Sequence, residues 1–133
     1  MTSFVISDPN NGRIVIMDSI ARIAAENEGD VIVCGSHGGK SAAEHALKFK
    51  PKGLIFNDAG KGKDNAGIGG LDSLDTAGII GATVGTFSAR IGDGQDSYHS
   101  GVISAVNNKA RELGIKIGIP AKEAASIMLA YNG

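Results

Sequence analysis

Short apolar runs rich in valine and isoleucine recur along the chain, and most of them lack strict alternation with polar residues. A run that is apolar on both faces is typical of a strand in a parallel sheet that helices cover on both sides. The pattern therefore predicts six strands, over residues 4–7, 13–17, 30–34, 53–56, 79–84 and 115–119.

Apolar residues with helical spacing occupy the segments between these runs, and the segments end at glycine or near proline. The predicted helices cover residues 19–27, 41–49, 71–77, 98–113 and 120–131. Strands and helices that alternate at this spacing indicate βαβ units. We therefore expect an α/β fold, a Rossmann-like three-layer sandwich with a mainly parallel sheet and helices on both faces, in one domain over residues 1–133.

Residues 9–28 fit two patterns. Ile16, Ile20 and Ile23 have helical spacing, so this segment could be one helix that starts at Pro9. We favour a strand through Met17, followed by a helix that Asp18 or Ser19 caps.

Composition and charge exclude several classes of function. Apolar residues make up 42% and charged residues 20% of the chain, and the net charge is -1, a balance typical of a globular protein that does not bind nucleic acid. No apolar run approaches the length of a membrane span, and the first residues do not resemble a signal peptide. The single cysteine, Cys34, cannot form an internal disulfide, so we expect a cytoplasmic protein.

The candidate site lies where glycines follow the predicted strands. In a parallel sheet, ligands bind beyond the carboxyl ends of the strands. The turns at these ends read CGSHGGKS (34–41), NDAGKGKDNAGIGG (57–70) and GTFSARIGDGQDS (85–97), and the last two exceed the length of ordinary connections. These turns predict a binding site for a small molecule.

The first turn partly matches a phosphate-binding loop. Gly39, Lys40 and Ser41 supply the end of the motif G-x-x-x-x-G-K-[ST], but the first glycine stands at Gly35, one residue too close. Backbone N–H groups of Gly35, Gly38 and Gly39 would have to encircle a phosphate in a smaller loop. A nucleotide-binding protein with a variant loop is therefore one alternative.

The same turn also resembles the nucleophile elbow of α/β-hydrolases. The sequence Cys34-Gly-Ser-His-Gly-Gly fits a small-x-Ser-x-Gly-Gly pattern, and the resemblance extends over residues 31–58. It implies that Ser36 is a nucleophile and that the N–H of His37 helps to hold an oxyanion. His99, in DSYHSG, is then the candidate base.

Further candidates follow from residue chemistry. His37, beside a helix start, could exchange protons near neutral pH, although a capping or packing role is equally compatible. Asn57 and Asp58 end a buried strand. Burial of a carboxylate there costs free energy unless it is hydrogen-bonded or has a functional role. Asp58 is therefore a candidate base or an orienter of a histidine, and the alternative is that it caps the next turn.

A second group of candidates lies in SARIGD. Arg90 could clamp a carboxylate or phosphate and Ser88 could donate beside it, whereas a plain Arg90–Asp93 ion pair is the structural alternative. The histidines and aspartates lack recognised metal-ligand spacings. We therefore expect no cofactor, although magnesium at Asp58 or Asp93 stays open.

These observations favour a small enzyme that acts on an anionic metabolite carrying a carboxylate or phosphate. The leading reaction is hydrolysis through Ser36 and His37, assisted by Asp58 and Arg90. A ligand-binding or sensory module that uses the same edge without turnover is the alternative. Apolar residues on more than one side of the last helix, residues 120–131, also predict a homo-oligomer.

Overall fold

The computed structural model describes residues 4–132, which form a mixed α/β fold around a six-stranded sheet with its strands in chain order. The strands are β1 Phe4–Asp8, β2 Gly12–Met17, β3 Val31–His37, β4 Gly53–Asn57, β5 Ile80–Val84 and β6 Ile103–Val106. The helices are α1 Lys40–Leu47, α2 Gly70–Ala77, α3 Gly94–Ser100, α4 Asn108–Glu112 and α5 Ala121–Ala130. Short 3₁₀ segments occupy Ile20–Arg22, Ala25–Asn27 and Lys63–Ile68.

The sheet buries apolar side chains on both faces. Ile14 of β2 belongs to a cluster that includes Met128 of α5. Its neighbour Val15 belongs to a second cluster that includes Ala43 of α1 and Leu74 of α2. Successive residues of a strand point to opposite faces, so each helix group covers one face of the core. The continuous apolar runs of the sequence have this physical origin.

The expectation of a mainly parallel sheet is wrong, because the sheet is mixed. Strands β2 to β5 are parallel, whereas β1 is antiparallel to β2 and β6 is antiparallel to β5. The turn between Asp8 and Gly12 is too short for a crossover, so β1 and β2 can only form a hairpin. The Asp8 carboxylate holds this turn by accepting the N–H of Asn10 at 2.8 Å.

The predicted helix over residues 98–113 is also wrong, because this segment contains the end of α3, then β6 and α4. Gly101 breaks the helical stripe with an extended backbone at φ -63° and ψ 144°. A Cβ there would lie 2.6 Å from Cγ1 of Val84, so the chain passes too close to β5 for any side chain. Asn107 then starts α4, since its Oδ1 accepts the N–H of Ala110 at 2.9 Å.

The sixth strand is therefore Ile103–Val106 and not residues 115–119. Ile115 is buried, but the chain turns at Gly118, whose φ of +98° is left-handed. Only one isolated bridge, between Val102 and Pro120, flanks this segment in the described part of the chain.

Residues 9–28 contain a strand through Met17, as favoured, and the single helix from Pro9 is wrong. Ser19 caps the following segment, since its Oγ accepts the N–H of Ala21 at 3.2 Å. The segment itself consists of two 3₁₀ turns and not an α-helix. The predicted helices 41–49, 71–77 and 120–131 correspond to α1, α2 and α5. Between residues 4 and 132, no helix has the length and apolar content to cross a membrane.

Candidate functional site

The turns after β3, β4 and β5 meet at one edge of the sheet, as their sequence positions predict. Gly92 N–H donates to the carbonyl of Gly35 at 2.7 Å, which joins the β5 turn to the β3 turn. Asn57 Nδ2 donates to the carbonyl of Ala89 at 3.1 Å, which joins the end of β4 to the β5 turn. The three turns are therefore one hydrogen-bonded unit.

The glycines of the first turn allow this close packing. A Cβ on Gly35 would overlap the backbone of Gly92 and Asp93, and one on Gly38 would lie 2.8 Å from the carbonyl oxygen of Gly67. A Cβ on Gly39 would lie 2.7 Å from the His37 ring. Side chains at Gly35 or Gly38 would force the turns apart, and one at Gly39 would displace the His37 ring.

The N–H groups of the same three glycines already have partners. Gly35 donates to the carbonyl of Asp18 at 3.0 Å and Gly38 to that of Asn57 at 3.0 Å. Gly39 donates to Nδ1 of His37 at 3.0 Å. A phosphate-binding loop needs such groups free to encircle a phosphate, so this geometry gives the nucleotide hypothesis little support.

A cleft of about 580 Å³ opens beside this unit, between the first 3₁₀ turn, the end of β3, the start of α1 and the β5 turn. Its walls combine apolar side chains with hydroxyl, imidazole and carboxyl groups. The lining residues are Asp18, Ser19, Ile20, Ala21, Gly35, Ser36, His37, Ser41, Ala42, His45, Ile91 and Gly92. This cleft is the candidate functional site.

Ser36 lines the cleft but lies within β3 and not on a sharp strand-to-helix turn. The register between β3 and β4 is irregular here, because Val33 pairs with Ile55 and His37 with Asn57. Ser36 Oγ accepts the N–H of Ile20 at 2.9 Å, which fastens the 3₁₀ turn to the sheet. Within residues 4–132, no hydrogen bond joins Ser36 to a histidine.

His37 is exposed at the end of β3 and lines the cleft. Its Nδ1 accepts the N–H of Gly39, the N-cap residue of α1. A nitrogen that accepts carries no proton in the neutral ring, so the proton of neutral His37 lies on Nε2. The fixed Nδ1 leaves Nε2–H as the group that can donate to a ligand oxygen.

The start of α1 offers further donors at the cleft. Gly39 provides no side-chain cap, and the first intrahelical bond of α1 runs from Ala43 N–H to the Gly39 carbonyl. The N–H groups of Lys40, Ser41 and Ala42 therefore have no carbonyl partner within the helix. Since Ser41 and Ala42 line the cleft, these donors lie beside it.

Sequence reasoning missed Asp18 as a cleft residue. Asp18 follows the carboxyl end of β2, and its Oδ1 accepts the N–H of Gly94 at 3.0 Å. The second carboxylate oxygen has no hydrogen-bond partner among the described residues. The available signal was a carboxylate directly after an apolar strand, the same signal that had pointed to Asp58. Ser19, Ser41 and His45 were missed too, because their place in the cleft depends on how the 3₁₀ turn packs.

Asn57 and Asp58 are buried, and their side chains bind backbone groups of the turns. Asn57 Oδ1 accepts the N–H of Ala59 at 2.8 Å. Asp58 Oδ1 accepts the N–H groups of Gly60 at 2.8 Å and Thr86 at 3.0 Å. These contacts match the capping alternative for Asp58, and neither residue lines the cleft.

Four other candidates also lie outside the cleft lining. Ser88 Oγ donates to the Gly85 carbonyl at 2.7 Å and accepts the N–H of Val102 at 2.9 Å. Arg90 is 80% exposed in its side chain and lies 3.8 Å from Asp93. His99 Nε2 is 3.0 Å from Gln95 Oε1 on α3.

Burial raises the pKa of the Cys34 thiol to about 12, so this cysteine behaves as a small apolar residue of the core. Within residues 4–132, no three side chains among histidine, cysteine, aspartate and glutamate come together in a way that could hold a metal ion.

Comparison with models of known protein families, with curated proteins and with solved structures yields no match for this chain. The geometry of the cleft is therefore what points to a function.

Proposed function

We propose that this protein is an enzyme that acts on a small metabolite bearing a carboxylate or phosphate, bound in the cleft beside α1. One observation carries the proposal: the uncapped first turn of α1 and the Nε2–H of His37 are donors at the same cleft. Helix N-termini favour anions through their free N–H groups and the helix dipole. Lys40 and Arg90 directly precede the lining residues Ser41 and Ile91 in the chain, although neither side chain lines the cleft.

Hydrolysis is the reaction class that these groups favour. A neutral imidazole with a fixed Nε2–H can polarise a carbonyl or phosphoryl oxygen and stabilise the charge that develops on it. The Asp18 carboxylate can accept a proton from water as that water attacks the electrophilic carbon or phosphorus, and can return the proton to the leaving oxygen as the bond to that oxygen breaks and the alcohol departs. Ser36 and Asp58, whose oxygens accept backbone N–H groups, hold the walls of the cleft in this proposal. No metal or cofactor is required.

A non-catalytic ligand-binding module is the second candidate. Its support is that the expected nucleophile, Ser36, and the expected base, Asp58, both accept hydrogen bonds from backbone N–H groups. Binding needs only the donors of the cleft, whereas turnover also needs Asp18 as a base. Replacement of Asp18 by asparagine separates the two roles, because asparagine keeps an acceptor for Gly94 N–H.

The test of the proposal is an NMR titration of backbone amides with acetate and with inorganic phosphate, against sodium chloride at equal ionic strength. We expect saturable shifts at Lys40, Ser41 and Ala42 with acetate or phosphate and none with chloride. Equal responses to all three salts would contradict the anion site.

Incubation with a panel of small carboxylate-bearing esters and phosphate esters then tests turnover. Product formation that Asp18→Asn abolishes supports the enzyme, and saturable binding without product supports the ligand-binding module.

We also propose that this fold, with helices on both faces of the sheet, is a Rossmann-like three-layer sandwich, and that the protein is cytoplasmic.

We propose in addition that the protein is a homo-oligomer. The apolar residues of α5 that suggested assembly include Ala124, Ala125, Met128 and Leu129, and these are buried in the chain's own core. The support for assembly now comes from β1, an edge strand whose Phe4, Val5 and Ile6 are 48%, 48% and 39% exposed. An edge strand with three successive exposed apolar residues is suited to pairing with the same strand of a second copy.

A charge on this edge is expected to dissociate the oligomer. Val5→Lys places an ammonium group where two copies of β1 would meet, whereas Ile117→Lys changes an apolar residue that is 66% exposed beside β6, at the opposite edge of the sheet. Light scattering should give a dimer mass for the wild type and for Ile117→Lys, and a monomer mass for Val5→Lys. A wild-type monomer at every concentration would contradict the assembly.

A further inference from the structure

A second, smaller cavity, open to solvent and lined mostly by exposed residues, adjoins the cleft at His37. Its volume is about 300 Å³, and it shares His37 and Ile91 with the cleft. The remaining wall comes from the turn after β4 and consists of Ala59, Gly62, Ala66 and Gly67. The side chains of His37 and Ile91 therefore belong to the walls of both spaces.

The wall of this second cavity is apolar. Two of its residues are alanines and two are glycines, so methyl and Cα groups dominate the surface that a ligand would meet. The backbone of the turn satisfies itself internally, because Gly67 N–H donates to the Lys61 carbonyl at 2.9 Å and Lys61 N–H to the Asp58 carbonyl at 2.6 Å. Such a surface favours contact with a hydrocarbon group and offers few hydrogen-bond partners to a charged group.

The conformation of the turn is fixed by the structure around it. Ala59 and Lys61 have left-handed φ values of 52° and 69°, which residues other than glycine rarely adopt. The buried carboxylate of Asp58 accepts Gly60 N–H and Thr86 N–H, which ties this turn to the turn after β5. The cavity is thus a built feature of the edge.

We infer that the second cavity is a subsite for a compact apolar group, so that the ligand spans His37. The inference rests on the proposed function: the anionic end lies at the start of α1, an acceptor oxygen lies at Nε2 of His37, and the apolar group lies against Ala59 and Ala66. A cavity of about 150 Å³ accommodates benzene, so the space is sufficient for a phenyl ring or a branched alkyl group. The substrate class is a small carboxylate or phosphate compound with one such substituent.

The experiment compares acetate with 3-phenylpropanoate, which shares the carboxylate and adds a ring on a short chain. In an NMR titration we expect 3-phenylpropanoate to bind at least about tenfold more tightly, because ring burial adds apolar contact. Its ring protons should give nuclear Overhauser effects to the methyl groups of Ala59 and Ala66. Acetate should shift only the amides at the start of α1.

A filled cavity provides the matched test. Ala66→Leu adds a side chain at the cavity wall, whereas Ala77→Leu makes the same change at an exposed position at the end of α2. We expect Ala66→Leu to weaken 3-phenylpropanoate about tenfold and to leave acetate unchanged, and Ala77→Leu to change neither. The nuclear Overhauser effects in the wild type test the subsite even if Ala66→Leu does not fold.

The outcomes separate this inference from the proposed function. If 3-phenylpropanoate gives ring contacts only to Ala21 and Ala42 of the cleft, the subsite is wrong and the anion site stands. If neither probe gives a saturable shift at the start of α1, the proposed function fails, whatever happens at the second cavity. Ring contacts at Ala59 and Ala66 without shifts at α1 would support an apolar cavity but overturn a ligand that spans His37.

Discussion

Replacement of Gly67 by alanine is expected to lower the free energy of unfolding by about 3 kcal/mol or more. Gly67 is buried, and a Cβ there would overlap the carbonyl oxygen of Asp58 and lie 3.3 Å from Cα of Lys61. Both neighbours are backbone atoms, which cannot rotate away as a side chain could. The turn after β4 must therefore move, and with it the bonds from Asp58 to Gly60 and Thr86.

The matched control is Gly69→Ala, two residues further along the same turn. A Cβ on Gly69 would meet only ordinary contacts, the nearest at 3.6 Å from the Ala66 carbonyl, and its φ of -62° suits any residue. Alanine there should leave stability unchanged or raise it by about 0.5 kcal/mol, because it restricts the unfolded chain. Urea unfolding of both variants measures the difference. Equal midpoints would show that the turn does not pack as described.

Changes at His37 are expected to have the largest effect on ligand binding. His37→Asn places an amide oxygen near the position of Nδ1, so it can still accept Gly39 N–H, but it removes the Nε2–H donor. His37→Gln places an amide N–H near the position of Nε2 and loses the acceptor. We expect His37→Asn to weaken acetate or phosphate by about tenfold or more with nearly unchanged stability.

His37→Gln should show the opposite result: more of the binding retained, and a loss of about 1 kcal/mol in stability from the unpaired Gly39 N–H. The titration of the α1 amides and urea unfolding, applied to the same two variants, provide both readouts. A purely structural His37 would reverse the order, with His37→Asn close to wild type in binding as well as in stability.

The central strands could be predicted because their local sequence has one interpretation. Residues 31–34 and 53–56 are apolar at every position except for glycine, and only a strand buried on both faces suits such short runs. The region after Ser97 was different, since Val102, Ile103 and Val106 fit a helical stripe as well as they fit a strand. The close approach of Gly101 to Val84 decided between them, and a contact with a distant strand leaves no local signal.

The candidate site was predictable to the level of the sheet edge and not to that of individual side chains. Ser36 and His37 lie in the cleft, because the carboxyl end of β3 had to face the ligand side of a parallel sheet. Asp58 ends its strand in the same way, yet its carboxylate points to backbone N–H groups. Asp18 and Asp58 both accept backbone N–H groups through Oδ1, and what separates them is that only Asp18 lines the cleft, which follows from tertiary packing.

In the proposed site, neutral His37 presents Nε2–H to an anion in the cleft beside α1. The most direct measurement is the long-range ¹H–¹⁵N spectrum of the imidazole rings, recorded with and without inorganic phosphate at constant ionic strength. We expect His37 to carry its proton on Nε2, and phosphate to move this resonance in a saturable manner while His99, which lies outside the cleft, changes little. A proton on Nδ1 of His37, or equal responses from His37 and His99, would contradict this role of His37.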